Sequence, residues 1–312
     1  MKKILVTGGA GNIGGSLVEK LLQDPDNFVV VVDNLITGSL NKIPFTGKAN
    51  FKFIKADVNI LSEISSIMVS YQFDYLFHYA ALVGVKRTLE NPIKVLNDIE
   101  GIKNILNLSK NTGVKRIFFS SSSEVYGEPV EFPQNEITTP LNSRLPYAIV
   151  KNLAEAFLRS YHQEYGLNYT IFRFFNTYGP RQSEDFVVSK FLKAALNNEN
   201  ITIYGDGTQT RTFCYIEDNI EATVNSLDKD YCINDVMNIG NDEEITILEL
   251  AKKIISITNS RSKIIHAPPL KEGDMTRRKP DNAKMKKLLN RKLLSIEGGI
   301  KKILEDWSKN KP

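Results

Sequence analysis

The sequence has little of what several classes of protein require. Its two cysteines, Cys214 and Cys232, are too few for a disulfide framework, and the histidines at positions 78, 162 and 266 share no metal-ligand spacing. No apolar run approaches the roughly 18 residues of a membrane span, and no signal-peptide pattern follows the two N-terminal lysines. We therefore expect a cytoplasmic protein with no metal site, no disulfide and no membrane partner.

An excess of charge of one sign is also missing. The 312 residues carry 40 Lys and Arg against 36 Asp and Glu, and the basic residues form no stripe. A nucleic-acid partner is therefore not expected, because nucleic acids bind clustered cations. Hydrophobic residues make up 42% of the chain and charged residues 24%, a composition that is typical of folded globular proteins and excludes disorder.

A glycine pattern near the N-terminus predicts a dinucleotide site. Residues 3–7 form a short apolar run that leads into Gly9-x-Gly11-x-x-Gly14, and helical apolar spacing follows from Leu17. A strand, a glycine turn and a helix in this order bring backbone amides and the N-terminus of the helix to a pyrophosphate.

The residue that ends the second predicted strand indicates which dinucleotide is bound. Residues 28–32 are apolar and end at Asp33. A carboxylate at this place accepts hydrogen bonds from the adenosine ribose and repels the extra phosphate of NADP. We therefore predict NAD as the cofactor.

The rest of the chain alternates short apolar runs with helical patterns. Strands are predicted at 51–54, 75–77, 116–119 and 169–174, and helices at 61–71, 92–110 and 147–165. This alternation predicts an α/β fold with a doubly wound parallel sheet. Beyond residue 176 it is lost, and helices at 187–196, 247–257 and 300–307 accompany a strand at 201–204. We predict a Rossmann domain at 1–175, to which part of 205–240 returns, and a smaller C-terminal α/β substrate-binding cap, mainly 176–312.

Candidate catalytic residues follow the strand at 116–119 and open the helix at 147. Ser122 and Glu124 come after the strand, and Tyr147 and Lys151 are four residues apart on one face of the helix. An ammonium near a phenol favours the phenolate, so we expect Lys151 to lower the pKa of Tyr147 and make it a base near neutral pH. The Ser122 hydroxyl would steady or relay the proton of a substrate hydroxyl.

Taken together, these motifs resemble the extended short-chain dehydrogenase/reductases that modify nucleotide sugars. The resemblance covers essentially the whole chain, through residues 7–14, 33–35, 57–58, 78–81, 122–127, 147–151 and 175–181. It implies tightly held NAD, a Ser/Tyr/Lys triad and a cap that binds a nucleoside diphosphate sugar. It also implies a homodimer, in which the helices 92–110 and 148–165 form a four-helix bundle with their copies.

The resemblance further implies roles for individual residues. NAD contacts are expected from Gly8, Gly11, Asn12, Ile13, Gly14, Asp33, Asn34, Asp57, Val58, Ala80, Ala81, Tyr147 and Lys151. Contacts with a UDP-sugar are expected from Lys86, Ser123, Asn176, Arg181, Arg211 and Arg278. The expected catalytic residues are Ser122, Glu124, Tyr147, Lys151 and Arg278.

Every member of the family would begin by oxidising the sugar at C4. Tyr147 would take the proton of the C4 hydroxyl while the hydride passes to NAD, which gives a 4-keto sugar. If C5 bears a carboxylate, carbon dioxide is then lost. If the ketone rotates before the hydride returns, the product is the 4-epimer. If H5 and the C6 hydroxyl are lost as water, the product is a 4-keto-6-deoxy sugar.

Two features favour decarboxylation of a UDP-uronic acid. Glu124 is typical of uronate decarboxylases and 4,6-dehydratases, whereas simple 4-epimerases usually have a small or neutral residue there. Ser123 stands where dTDP-glucose dehydratases have Asp, although GDP-mannose dehydratases also have Ser. Residues 277–281 resemble the Arg-Lys-Pro segment of UDP-glucuronate decarboxylases, whose Arg, here Arg278, reaches the reacting end of the sugar.

Other features keep a UDP-sugar 4-epimerase as the alternative, with a 4,6-dehydratase less favoured. Residues 81–92 resemble those of 4-epimerases, and residues 147–151 lack the Asp-Glu-Gly insert of typical UDP-xylose synthases. Lys86 and Arg87 could receive a carboxylate in either reaction. A non-catalytic, NAD-sensing regulator would be expected to lose Tyr147 or Lys151, and both are present.

Overall fold

The computed structural model describes residues 1–43, 47, 49–269 and 277–309, apart from the side chains of residues 85 and 86. The strands, in chain order, are β1 (Lys2–Thr7), β2 (Asn27–Asp33), β3 (Phe51–Lys55), β4 (Tyr75–His78), β5 (Arg116–Ser122), β6 (Asn168–Phe174), β7 (Thr177–Tyr178), β8 (Ile201–Tyr204), β9 (Thr210–Thr212), β10 (Cys214–Tyr215), β11 (Asp235–Ile239), β12 (Glu244–Thr246) and β13 (Ile264–Ala267). The helices are α1 (Asn12–Leu21), α2 (Leu61–Tyr71), α3 (Val85–Glu90), α4 (Pro92–Thr112), α5 (Pro146–Tyr165), α6 (Val187–Leu196), α7 (Ile216–Asp228), α8 (Ile247–Thr258), α9 (Ala283–Leu289) and α10 (Ile296–Lys309).

A parallel sheet forms the centre of the molecule. In the described residues it has seven strands in the order β11-β6-β5-β4-β1-β2-β3. Helices cover both faces, so its central strands are continuous apolar runs, and the four valines 29–32 of β2 are fully buried. The predicted doubly wound parallel sheet is confirmed.

The strand order reverses between β1 and β4, and this places the ligand crevice. From β1 the chain proceeds to β2 on one side and later to β4 on the other. In open parallel sheets the ligand binds outside the carboxyl ends of the strands at such a switch point. Thr7, His78 and Ser122, which end β1, β4 and β5, lie at this edge.

Helix bounds follow the sequence pattern closely, with differences at the ends. The bounds of α2 and α6 are those predicted, whereas α1 begins at Asn12, five residues before Leu17, from which the sequence shows helical spacing. The earlier start puts the first turn of α1 inside the glycine motif, because glycine can enter the helix there without a side chain to clash.

Three described elements after residue 215, α7, α9 and β11, belong to the sheet region and were not predicted as elements, and α9 contacts both of the others. Helix α7 packs against α1, and β11 pairs with β6 as the edge strand. The pairs β8–β13 and β9–β12 pack with α6, α8 and α10 as a smaller unit. The Trp307 indole of α10 donates a 2.9 Å hydrogen bond to the carbonyl of Pro180, which joins this unit to the loop after β7.

Residues 1–43, 47, 49–269 and 277–309 contain neither a membrane-crossing helix nor a metal-binding cluster. Over those ranges, no helix combines the length and the apolar character that crossing a bilayer needs. In the same part of the chain, no three His, Cys, Asp or Glu side chains are grouped so that they could hold a metal ion.

Candidate active site

A cavity of about 620 Å³ opens at the carboxyl ends of the central strands and reaches the segment that leads into α6. Every residue predicted to contact NAD or to act in catalysis lines it, together with Ser123 and Asn176 of the predicted substrate residues. Residues that are widely separated in the chain, such as Gly8, Tyr147 and Arg278, therefore meet in one space.

The glycine motif is shaped as a cradle for a phosphate-bearing ligand. Gly8 has φ +72°, and a Cβ added to Gly14 would lie 2.3 Å from the Gly8 carbonyl oxygen. Helix α1 starts after Gly11 with no side-chain cap and no acidic residue in its first turn, so its amides and dipole favour an anion. The buried Asn12 Oδ1 accepts no hydrogen bond from the described residues, which leaves an acceptor for a ligand. These features fit a dinucleotide.

Backbone amides hold the Asp33 carboxylate in place. Its two carboxylate oxygens accept backbone hydrogen bonds from Ala10 at 2.9 Å and Leu35 at 2.8 Å. An ionised carboxylate keeps further lone pairs, so Asp33 can still accept ribose hydroxyls. Asn34 donates to Asp57 at 2.9 Å and ties the ends of β2 and β3 together. The residues at these two strand ends thus suit an adenosine.

Tyr147 and Lys151 stand in the first turns of α5. The Lys151 ammonium donates a 2.6 Å hydrogen bond to the Ser120 carbonyl and lies 5.7 Å from the centre of the Tyr147 ring. The Ser122 hydroxyl lines the same cavity and acts to lower the pKa of the Tyr147 phenol. Burial lowers the pKa of Lys151 to about 8, while the Asp98 and Glu155 carboxylates oppose that shift. The serine, tyrosine and lysine of the predicted triad therefore converge.

The predicted lowering of the Tyr147 pKa is wrong for this arrangement. Burial raises the pKa of the Tyr147 phenol, and the negative charge of Glu124 raises it further, against the opposing effect of the Ser122 hydroxyl. The Lys151 ammonium is held on the Ser120 carbonyl, and desolvation of the phenolate outweighs the stabilising groups.

Glu124 and Arg278 form a charged pair inside the cavity. Their carboxylate oxygen and guanidinium nitrogen are 3.6 Å apart, and Arg278 is 6% exposed. Glu124 lies in a 3₁₀ turn, Ser123–Tyr126, whose first amide hydrogen bond is accepted by the Ser122 hydroxyl. A cation and a carboxylate are thereby presented next to the triad.

Three of the predicted substrate residues are not seen at the cavity: two lie away from it, and the side chain of the third is outside the described residues. Arg181 pairs with Glu19 of α1 at 2.7 Å and does not line the cavity, although its Nη1 has no hydrogen-bond partner among the described residues. Arg211 is buried, donates to the Thr210 carbonyl at 2.7 Å and does not line the cavity either. The Lys86 side chain lies outside the described residues. Contacts of these three with substrate remain predictions.

Sequence reasoning missed Asp98 of α4, which also lines the cavity. Its carboxylate accepts a 2.7 Å hydrogen bond from the Leu82 amide, and burial raises its pKa. No motif pointed to it, because it sits within a helix whose pattern gave only periodicity. Arg87, which the sequence did single out, lines the cavity and pairs with Asp185 at 3.3 Å.

Comparison with known proteins accounts for this arrangement. Residues 4–240 match the model of the NAD-dependent epimerase/dehydratase family. The chain belongs to this family. Its cofactor is therefore NAD, and the resemblance seen in the motifs is confirmed.

Relatives within the family differ in the reaction that their names state. The chain is 36% identical to UDP-glucuronic acid decarboxylase 1 of Danio rerio over 99% of its length and 73% of the relative. It is also 36% identical to UDP-N-acetyl-alpha-D-glucosaminuronate decarboxylase of Bacillus cytotoxicus, over 97% of both chains. The UDP-glucose 4-epimerase of Thermotoga maritima, solved with UDP-glucose, superposes with a TM-score of 0.91 at 34% identity, covering 98% of this chain and 99% of the epimerase.

Proposed function

We propose that this family member decarboxylates a UDP-uronic acid through a transient 4-keto sugar. The observation that carries the proposal is the Glu124–Arg278 pair, 3.6 Å apart in the cavity that also holds Tyr147. A buried guanidinium recognises a carboxylate by paired hydrogen bonds. The decarboxylase relatives support the same reaction.

The first half of the proposed reaction uses the triad. Tyr147 takes the proton of the sugar C4 hydroxyl, and the Ser122 hydroxyl orients that oxygen. NAD, which Gly8, Gly11, Gly14 and Asp33 would hold, would supply the acceptor for the C4 hydride. Lys151 contributes a positive charge that favours the phenolate of Tyr147, against the effect of burial. The product of this half is a 4-keto sugar.

The second half uses the charged pair. A uronic acid oxidised at C4 is a β-keto acid, so its C5–C6 bond breaks, carbon dioxide leaves and the electron pair passes onto the C4 oxygen. Arg278 binds the carboxylate beforehand, and after carbon dioxide has left a water molecule donates the proton to C5, the electron pair returns from the C4 oxygen to form the C5–H bond, and the guanidinium orients that water. Glu124 repels the bound carboxylate but not neutral carbon dioxide, which favours its loss. Tyr147 then returns its proton to the C4 oxygen as the alcohol reforms.

Mass spectrometry of the purified protein with UDP-glucuronate, UDP-glucose and UDP-N-acetylglucosamine tests the proposal. We expect UDP-glucuronate to lose the mass of carbon dioxide. Epimerisation leaves the mass unchanged and would establish the alternative that the likeness to the Thermotoga maritima epimerase favours. Loss of water would identify a 4,6-dehydratase.

We further propose that the protein is a homodimer built on α4 and α5. These two helices pack against each other and expose apolar side chains to solvent, among them Ile93, Leu96, Ile149 and Leu153. A second copy would bury this face in a four-helix bundle.

The cytoplasm stays our predicted compartment, and cell fractionation tests it.

A further inference from the structure

Four buried polar side chains behind the cavity form a continuous hydrogen-bonded chain, which we call the frame network. They are Tyr126, Glu155, Arg173 and Asn238, each no more than 1% exposed. None of the four lines the cavity. Polar groups removed from water in this way must be paired with one another, so their geometry is tightly specified.

At one end the frame network holds the helix that carries Lys151. Glu155 lies one turn further along α5, and its carboxylate accepts hydrogen bonds from Arg173 of β6 at 3.0 and 2.7 Å. The Ser121 hydroxyl of β5 donates to the same carboxylate at 2.6 Å. Ser121, Arg173 and Asn238 are partners in register across β5, β6 and β11, so sheet pairing places the network.

In the middle the frame network holds the turn that carries Glu124. Arg173 donates to the Tyr126 hydroxyl at 2.9 Å, and that hydroxyl donates to Asn238 at 2.7 Å. Tyr126 ends the 3₁₀ turn, two residues after Glu124. Burial raises the pKa of Tyr126 to about 12, which keeps its hydroxyl protonated and able to donate.

At the other end the frame network holds the segment that carries Arg278. The Asn238 side-chain amide donates to the carbonyls of Gln134 at 2.9 Å and Asp281 at 3.1 Å. Gln134 in turn exchanges backbone hydrogen bonds of 2.8 Å with Lys279 and Asp281. Asn238 is thus the junction through which the Tyr126 hydroxyl is joined to residues 277–281.

We propose that Tyr126 is a positioning residue that sets the separation of Glu124 and Arg278 through Asn238. The turn and the segment come from distant parts of the chain, and the Tyr126–Asn238 hydrogen bond joins them behind the charged pair. Reacting groups must be held within about half an ångström of their productive places, which a fully satisfied buried network achieves. The inference rests on the proposed function, in which this pair acts after C4 oxidation.

Tyr126→Phe, assayed in the NAD-loaded protein with UDP-glucuronate, tests the proposal. It deletes the hydroxyl alone, and we expect carbon dioxide release to fall about tenfold or more because the pair is misplaced. C4 oxidation, followed by the absorbance of reduced NAD in single turnover, should stay within about twofold of wild type, because Arg173 keeps both hydrogen bonds to Glu155 that hold the helix of Tyr147 and Lys151. Tyr215→Phe is the matched control, a buried tyrosine of β10 that does not line the cavity.

A double variant separates positioning from general stability. If Tyr126 acts through Glu124, adding Tyr126→Phe to Glu124→Gln lowers carbon dioxide release no further. A further loss in the double variant, or an equal loss of both steps in Tyr126→Phe, overturns the proposal. Should Tyr126→Phe fail to fold, Asn238→Ser breaks the same junction and is judged by the same outcomes.

Hydrogen exchange provides a readout that needs no substrate. We expect the amides of Gln134 and Asp281 to exchange faster in Tyr126→Phe and to be unchanged in Tyr215→Phe. Unchanged exchange in Tyr126→Phe overturns the inference. Failure of the wild type to release carbon dioxide from UDP-glucuronate overturns the proposed function instead, and the two failures are therefore distinguishable.

Discussion

The Arg278 guanidinium lies 3.6 Å from the Glu124 carboxylate, and the charges of both act on the Tyr147 phenol in the same cavity. The two charges come from a turn at the end of β5 and from a segment near the C-terminus. Arg278 is almost fully buried, so a ligand can reach its guanidinium chiefly from the cavity. An incoming carboxylate would share the guanidinium with Glu124, so Glu124 would affect the second half of the proposed reaction.

Replacing Glu124 by Gln should separate the two halves of the reaction. The amide keeps the size of the side chain but removes its charge, so carbon dioxide release should fall about 100-fold while C4 oxidation falls much less. Reduced NAD would then accumulate during turnover and can be followed by absorbance. An equal loss of both steps would refute a separate role for Glu124.

Tyr147→Phe should abolish turnover and leave NAD bound. The substitution removes the base that takes the C4 proton, and loss of a general base typically costs about 10²- to 10⁴-fold in rate. The glycine cradle and Asp33 are untouched, so NAD content after purification should match wild type. An unchanged rate in this variant would rule out the triad assignment.

Asp98→Asn should move the pH profile of C4 oxidation to lower pH. Burial lowers the pKa of Lys151 to about 8 even though the Asp98 carboxylate raises it, and that carboxylate also raises the pKa of Tyr147. Without its charge both pKa values fall, so the acidic and the alkaline limb of kcat/KM both shift down, by about half a unit to one unit.

The other charges around Lys151 and Tyr147 stay in place in the Asp98→Asn variant. Glu155, Glu124 and Arg278 keep their charges, and only the Asp98 contribution is removed. Asp228→Asn, which removes an exposed carboxylate that pairs with Lys2, is the matched control. A profile that stays fixed or moves to higher pH would contradict the assignment.

His78 should make the protein less stable in mild acid. Burial, aided by the charge of Lys151, lowers its pKa from 6.5 to about 3. The unfolded chain therefore takes up a proton first as the pH falls, so this contribution is complete above pH 6.5 and is lost towards pH 3. The slope from one such group is about 1.4 kcal/mol per pH unit.

A His78→Asn variant tests how much His78 contributes to the dependence of the free energy of unfolding on pH. Asparagine can keep a hydrogen bond to the Thr7 hydroxyl, which lies 2.8 Å from the His78 Nδ1, and it does not ionise. Denaturant unfolding at several pH values should give a shallower loss of stability for the variant. Parallel curves for the two proteins would show that His78 does not titrate on unfolding.

Leu153→Glu should weaken the dimer proposed on α4 and α5. Leu153 is 44% exposed on that face, and a buried, unpaired carboxylate in the bundle would oppose association. Leu196→Glu on α6, at a side chain 48% exposed, is the control and should not change the size of the particle. Sedimentation at micromolar concentration measures both, and a monomeric wild type would remove the proposal.

The sequence predicted well those features that periodicity fixes. The valines of β2 are apolar at every position because both faces of the sheet are covered, and this pattern is visible without a structure. Tyr147 and Lys151 share a helix face because four residues make about one turn. Such local regularities also placed α2 and α6 at their observed bounds.

Features that depend on distant partners could not be predicted. Strand β11 contains Asn238, whose burial is possible only because Tyr126, Gln134 and Asp281 satisfy its side chain. The cavity position of Asp98 depends on where α4 docks. The direction of the Tyr147 pKa required its burial, which no spacing reveals.

The position of β11 at the edge of the sheet has a consequence for biosynthesis. Strand β6 leaves the ribosome while its sheet partner β11 has not yet been translated, and the start of the smaller unit is made in between. The nascent chain therefore carries an unpaired β6 edge, a site open to misassociation, until residue 239 has emerged. A fragment ending at residue 175 would keep that edge permanently, so the cofactor-binding part is not separable from the chain by simple truncation.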